Sequence, residues 1–118
     1  CFPIQYAVTW PERLPNDLPA LDFPSLAKLE FEAPRRADFP ALDLAREAGE
    51  RGGTLPAVLN AANEVAVAAF LGEKLDFRGI WRVVETTMTR VAQVDSQELE
   101  VVVAADAEAR RVAAELIA

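Results

Sequence analysis

The sequence has 118 residues, a length typical of one domain that buries its own hydrophobic core. Hydrophobic residues make up 52% of it, and the formal net charge at pH 7 is -7. This acidic balance argues against a nucleic-acid partner and an anionic membrane surface, and no apolar run reaches the ~20 residues that span a bilayer.

Prolines are concentrated in the amino-terminal part, where seven of the eight lie within residues 1–40. Because proline lacks a backbone N–H and clashes inside a helix, we predict an extended arm with room for one short helix at residues 4–9. Apolar and charged side chains alternate near residues 28–33, which predicts a short β-strand there. No second strand pattern follows, so this strand would need a partner from another copy or from another part of the protein.

From residue 38 onward, apolar residues recur at helical spacing, and caps divide the pattern into helices. The predicted N-caps are Asp38, Thr54, Asp76 and Asp106, with Asp95 and Glu98 as a capping box before a short helix over residues 99–104. The predicted helix ends are Gly52, Gly53 and Gly72. The predicted core stripes include Leu42, Ala45 and Ala48 in the first helix, Leu59, Ala62, Val65, Ala66 and Ala69 in the second, Ile80, Val83, Val84, Thr87, Met88 and Val91 in the third, and Ala109, Val112, Ala113, Leu116 and Ile117 in the last.

The resulting fold class is mainly α. We predict a four- or five-helix bundle over residues 38–118, preceded over residues 1–37 by an extended proline-rich arm with one short β-strand.

The second predicted helix carries three polar side chains in the otherwise apolar stretch "LPAVLNAANEVAVAAFL". Asn60, Asn63 and Glu64 share one face, because residues three and four apart are neighbours on a helix. They could form a functional site with Glu64 as a base or cation ligand, but one carboxylate and two amides are a poor ligand set for a divalent cation. The favoured interpretation is a structural polar cluster that bonds to a neighbouring element, for which the proline-rich segment is the natural partner.

Other candidate site residues are few. The sequence has no histidine, no glycine-rich phosphate loop and one cysteine, Cys1, which excludes Ser-His-Asp and Cys-His catalysis and a histidine-bound metal. Trp10 and Trp81 could stack on a ligand, although large aromatics more often anchor a core or an interface. Arg35 and Arg36 could clamp a phosphate, although such pairs are normally solvated. The residues therefore favour no catalytic, cofactor-binding or metal-binding site in this chain, and Glu64 as a base is the alternative that stays open.

Four segments of the sequence carry a family resemblance: "FPIQYAVTWPERL", "LDFPSLAKLEFEAP", "FPALDLAREAGERGGTLPAVLNAANEVAVAAFL" and "LDFRGIWRVVE". Together they closely resemble the carboxyl-terminal part of 1-deoxy-D-xylulose 5-phosphate reductoisomerases, and the similarity runs over nearly the whole chain. The strings "PIQYA", "TWP" and "LNAANE" are the specific ones. The resemblance implies that residues 1–37 are the end of a catalytic domain with a linker, and that residues 38–118 are a carboxyl-terminal helical domain.

The resemblance also implies an activity for the complete enzyme. That enzyme would isomerise and reduce 1-deoxy-D-xylulose 5-phosphate to 2-C-methyl-D-erythritol 4-phosphate with NADPH and Mg or Mn, in non-mevalonate isoprenoid biosynthesis. It would be a homodimer in the bacterial cytoplasm, and its nucleotide, metal and substrate motifs would lie outside this sequence. The present chain would contact the remaining domains of the same enzyme and be inactive by itself.

Two other functions stay open from the residues alone. A freestanding helical module could bind an apolar peptide in a groove between helices. A small enzyme could instead use the carboxylate of Glu64. The reading frame upstream of Cys1 distinguishes these alternatives from the reductoisomerase, because only the latter predicts a nucleotide-binding domain there.

Overall fold

The computed structural model describes residues 2–17 and 19–118, so Leu18 and the single cysteine, Cys1, lie outside the described residues. The described residues form six helices: α1 (Phe2–Thr9), α2 (Phe23–Leu26), α3 (Ala41–Arg51), α4 (Leu55–Leu71), α5 (Phe77–Arg90) and α6 (Leu99–Ile117). Backbone contacts divide the chain into two compact units, residues 1–33 and residues 34–118. The predicted mainly α class is confirmed. Within the described ranges, no helix is both long enough and apolar enough to cross a membrane.

The first unit, residues 1–33, is not the extended arm that the prolines predict. It contains α1, where one short helix was expected, and the additional short helix α2. The chain after α1 folds back onto it: the Gln5 side-chain amide donates to the Pro15 carbonyl at 3.1 Å, and the Arg13 guanidinium lies 4.9 Å from the centre of the Tyr6 ring. Proline therefore limits helix length here without keeping the segment extended.

The strand predicted near residues 28–33 is wrong. These residues have no regular secondary structure, and a turn precedes them, with Ala27 at a φ of 59° and the Lys28 amide donating to the Leu26 carbonyl at 2.6 Å. The alternating pattern is present in the sequence, but the described residues contain no strand that could pair with it. Without a partner, the backbone groups of a strand have no ladder to complete.

The second unit, residues 34–118, is built around α4. This helix contacts α3, α5 and α6, and α5 also contacts α6. The buried residues of α4 are Leu55, Val58, Ala61, Ala62 and Ala66, all of them fully inaccessible to solvent. A helix with neighbours on several sides must be apolar around most of its circumference, which explains the Ala-rich sequence of α4.

The predicted start of α3 is wrong, whereas that of α5 is confirmed. The N-cap of α3 is Pro40, and Asp38 instead lies 3.4 Å from Arg35 in the preceding turn. The predicted core stripe of α3 holds only in part, because Ala48 is buried but Leu42 is 51% exposed. Asp76 caps α5 as expected, and its carboxylate accepts a hydrogen bond from the Gly79 amide at 2.6 Å.

The two helices predicted after residue 98 form one continuous helix, α6. Asp106 does not cap a helix; its carboxylate accepts bonds from Arg110, one turn further along, at 2.7 and 3.2 Å. No glycine or proline interrupts residues 99–117, so nothing ends the helix at that point. The predicted capping box is also wrong: Glu98 is the N-cap residue but makes no side-chain cap, and its amide donates to Ser96 Oγ at 3.2 Å.

A set of hydrogen bonds joins the α3–α4 connection to the α5–α6 connection. Thr54 occupies the predicted N-cap position of α4, but its buried hydroxyl accepts from the Val94 amide at 3.0 Å, and its own amide donates to the Val94 carbonyl at 3.0 Å. The Gln93 side-chain amide donates to the carbonyls of Arg51 and Gly52 at 3.1 and 3.3 Å. These bonds fix where α3 ends relative to the entry into α6.

Candidate functional site

The polar insert of α4 is part of a surface network that also includes two residues of α6. Asn60 Nδ2 donates to Glu64 Oε1 at 3.1 Å, and Arg110 Nη2 donates to Glu64 Oε2 at 2.8 Å. Arg110 also donates to both carboxylate oxygens of Asp106. We call these four residues, Asn60, Glu64, Asp106 and Arg110, the polar cluster.

Electrostatics within the polar cluster favour the ionised carboxylate. The hydrogen bond from Arg110 lowers the pKa of Glu64 most, followed by the hydrogen bond from Asn60 and the positive charge of Arg110. Hydrogen bonds to Asp106 and Glu64 in turn raise the pKa of Arg110. A carboxylate with a lowered pKa is a weak general base near neutral pH, so the arrangement favours a structural tie between α4 and α6 over catalysis by Glu64.

Asn63 is not part of the polar cluster. Its exposed side chain lines an apolar cavity of about 150 Å³ between α3, α4 and α5. The other residues that line this cavity are Phe39, Ala41, Leu44, Leu59, Phe77, Ile80, Trp81 and Val84. Within the described part of the chain, the Asn63 side chain has no hydrogen-bond partner. Its amide is therefore available to bond to another molecule or segment at the cavity.

Sequence reasoning missed the α6 half of the polar cluster. The spacing of Asp106 and Arg110, four residues apart, is a recognisable signal for an ion pair on a helix. The contact between Glu64 and Arg110 joins residues 46 positions apart, and no local pattern predicts it.

Aromatic and arginine side chains lie together beside the apolar cavity. The rings of Phe70 and Phe77 meet edge to face at 6.0 Å, and those of Phe77 and Trp81 at 5.6 Å. A second cavity of about 550 Å³ shares residues with the first and is lined by Arg35, Ala37, Asp38, Phe39, Phe77, Arg78, Trp81 and Arg82. We call Phe39, Phe77, Trp81, Arg35, Arg78 and Arg82 the aromatic–arginine surface.

Metal-binding geometry is absent from the described residues, which contain no group of three or more His, Cys, Asp or Glu side chains that could hold an ion. Both carboxylates of the polar cluster are already bonded to Arg110. These residues therefore do not fit a divalent cation.

The fold and surfaces define a class of protein, namely a helical domain whose polar cluster connects α4 to α6 and whose apolar surface remains partly open. The chain belongs to the DXP reductoisomerase C-terminal domain family, whose sequence profile matches residues 1–112. This confirms the resemblance found in the sequence, since DXP is 1-deoxy-D-xylulose 5-phosphate.

Relatives of known name agree with this assignment. The chain is 45% identical over 117 residues to 1-deoxy-D-xylulose 5-phosphate reductoisomerase of Acinetobacter baumannii, covering 99% of this chain and 29% of that protein. It is 50% identical over 115 residues to the same enzyme of Methylococcus capsulatus, covering 98% of this chain and 29% of that protein.

A solved structure is also similar. The reductoisomerase from Zymomonas mobilis in complex with NADPH superposes with a TM-score of 0.87 at 46% identity. The match covers 98% of this chain and 31% of the Zymomonas chain. The chain thus spans less than a third of the length of the relatives it matches, which does not favour the freestanding peptide-binding module.

Proposed function

We propose that this chain is the carboxyl-terminal structural domain of an NADPH-dependent 1-deoxy-D-xylulose 5-phosphate reductoisomerase. The observation that carries the proposal is the family match over residues 1–112, together with relatives at 45 and 50% identity that bear this enzyme name. The Zymomonas structure contains NADPH, which supports NADPH as the cofactor of the complete enzyme.

In this proposal, the chain supports the catalytic part of the enzyme and supplies no catalytic residue. Residues 1–37 are the end of the catalytic domain with its linker, and residues 38–118 are the helical domain. Several large apolar side chains of the first segment are strongly exposed, among them Val8 at 81% and Phe31 at 87%. Apolar side chains in such numbers are usually covered by a partner, and the rest of the enzyme is the proposed partner.

The polar insert has a structural role in the proposal. Asn60 and Glu64 hold α4 to α6 through Arg110, and Asn63 is left to bond to a neighbouring element of the complete enzyme. A tie from these three residues to the proline-rich segment stays a prediction.

The complete enzyme is proposed to act as a homodimer in the bacterial cytoplasm, with NADPH and Mg or Mn as cofactors. The described residues of this chain do not fit a metal ion, so the proposal places the metal, nucleotide and substrate sites in the part of the polypeptide outside this sequence. No step of the reaction is assigned to the residues of this chain.

An activity assay on three proteins tests the proposal: the complete protein, the same protein without residues 38–118, and the 118-residue chain alone. Loss of NADPH absorbance is followed with 1-deoxy-D-xylulose 5-phosphate and Mg or Mn. We expect turnover by the complete protein, none by the isolated chain, and a lower thermal unfolding temperature for the shortened protein. Turnover by the isolated chain, or none by the complete protein, contradicts the proposal.

A further inference from the structure

The aromatic–arginine surface concentrates positive charge in an acidic chain. Three arginines line its larger cavity, whereas the net charge of the whole chain is -7. The single carboxylate among the lining residues is Asp38, which pairs with Arg35 at 3.4 Å. Arg78 and Arg82 make no ion pair within the described ranges, and they lie one turn apart on α5. Two adjacent cations without an internal counter-charge suit an external anionic partner.

The same surface leaves apolar area exposed beside these arginines. Phe77 is 55% exposed and Phe39 is 43% exposed, and both also line the 150 Å³ apolar cavity. Exposed aromatic and arginine side chains around a pocket are the composition of protein–protein hot spots, where an apolar anchor fills the pocket and charged groups surround it.

We infer that the aromatic–arginine surface docks an acidic segment of the same polypeptide, from the part of the protein outside these 118 residues. That segment places an apolar side chain in the cavity between α3, α4 and α5 and carboxylates against Arg78 and Arg82. The inference rests on the proposed function, in which this chain is one domain of a longer enzyme.

The length of the missing polypeptide favours this occupant. The matched relatives are more than three times as long as this chain, because the chain covers 29% and 31% of them. A segment joined covalently to the domain is present at a high effective concentration, so a modest surface suffices to hold it. The carboxylates set the orientation of the segment, and burial of its apolar side chain stabilises the contact.

Photo-crosslinking in the complete protein tests the inference. A benzophenone amino acid replaces Phe77, and a second variant carries it at Arg78 in case the first does not fold. The control carries it at Val103, which is 57% exposed on α6 and lines neither cavity of the aromatic–arginine surface. We expect position 77 or 78 to crosslink to an acidic segment of the same polypeptide, identified by peptide mass spectrometry.

Two outcomes overturn the inference. The first is a crosslink between two copies, recovered at twice the polypeptide mass, because the surface would then join subunits. The second is no crosslink from positions 77 and 78 above the level from Val103, because the surface would then be free.

Charge reversal adds a matched comparison. Arg78→Glu with Arg82→Glu should reduce the crosslink yield from position 77 at least about fivefold, because like charges then face each other. Arg46→Glu with Arg111→Glu changes the net charge equally and removes pairs with Glu50, Glu108 and Glu115, yet should leave the yield unchanged. Equal yields in the two double variants contradict the inference.

Enzyme turnover, measured on the same preparations, separates the two proposals. An intramolecular crosslink in a complete protein without turnover contradicts the proposed function but not the docking contact. Turnover without the crosslink contradicts the docking contact alone.

Discussion

Residues 1–33 and residues 34–118 differ in how they use apolar side chains. No described residue of the first unit is buried, although it contains apolar residues such as Ile4, Trp10 and Phe31. Among the residues that the structure describes, every buried apolar one lies between Ala48 and Ala113. Hydrophobic stabilisation follows the apolar area removed from water, so apolar content matters only where a facing element can cover it.

Helix α1 and helix α4 show the reason for this difference. Helix α1 has eight residues and buries none of them, whereas α4 has seventeen and buries five against three neighbouring helices. A short helix has little stability in water by itself, and tertiary packing supplies most of what a longer one has. The second unit should therefore unfold as a cooperative whole, and substitutions in the first unit should leave that transition nearly unchanged.

Matched leucine substitutions should show the largest contrast between the units. Leu55→Ala removes a fully buried side chain from the hydrophobic core and should lower the free energy of unfolding by roughly 2–5 kcal/mol. Leu29→Ala removes a side chain that is 65% exposed and should change it by less than about 0.5 kcal/mol. Urea unfolding followed by circular dichroism measures both. Similar costs for the two variants would mean that residues 1–33 share the core.

Matched threonine substitutions should give a smaller contrast. Thr54→Val leaves the Val94 amide without its acceptor and should cost about 1–3 kcal/mol in the free energy of unfolding. The control is Thr9→Val in the first unit, whose exposed hydroxyl donates to the Glu12 carbonyl, and it should cost less than about 0.5 kcal/mol. The same urea titration compares them. A Thr54→Val protein as stable as the control would show that the hydrogen bond from the Val94 amide to the Thr54 hydroxyl adds nothing to the free energy of unfolding.

The buried hydroxyl of Thr87 should lower the stability of the second unit, residues 34–118. The Thr87 hydroxyl is fully buried and has no hydrogen-bond partner among the described residues. Thr87→Val should therefore raise the free energy of unfolding by about 1 kcal/mol, because it removes an unpaired polar group from the core. The control is Thr89→Val on the exposed side of α5, where the hydroxyl donates to the Glu85 carbonyl at 3.0 Å. A loss of stability in Thr87→Val alone would reveal a partner for that hydroxyl.

The polar cluster should produce the smallest effect, visible as a pH dependence. The folded-state pKa of Glu64 lies below its ordinary value of 4.5, so its contribution to stability is present above that pH and is lost as the pH falls through the lowered pKa. Glu64→Gln should therefore be slightly less stable than the wild type at neutral pH, and the difference should close in acid. Unfolding midpoints measured from neutral pH down to below the ordinary pKa of Glu64 test this expectation, with Glu32→Gln in the first unit as the control. Parallel curves for Glu64→Gln and the wild type would contradict a role for this carboxylate.

Local signals predicted some features of the bundle correctly. Asp76 caps α5 because an aspartate before a helical pattern can accept from its first amides, and Gly52 ends α3 at a φ of 68° that favours glycine. The apolar stripes of α5 and of the end of α6 were also correct, because their spacing matches the helical period. Asp106 misled the prediction, because its carboxylate has Arg110 as an alternative partner.

The candidate site was predictable only in part. The polar insert of α4 is conspicuous in the sequence because its three polar residues interrupt an apolar run, and the family resemblance was readable from the same stretch. It was not predictable that Asn63 lines the apolar cavity while Glu64 bonds to Arg110, since this depends on which neighbouring helix each side chain meets. The aromatic–arginine surface was missed as a unit, because it combines the turn before α3 with one face of α5.

By itself, the sequence determined the mainly α class, the family and several of the helix ends, because helical period, capping chemistry and family motifs are all local properties of the chain. Only the tertiary structure decided that α4 is the central helix, that Glu64 bonds to Arg110, and that residues 28–33 form no strand. Each of these depends on a partner distant in sequence: a helix is buried, a carboxylate is paired and a strand is completed only by what packs against it.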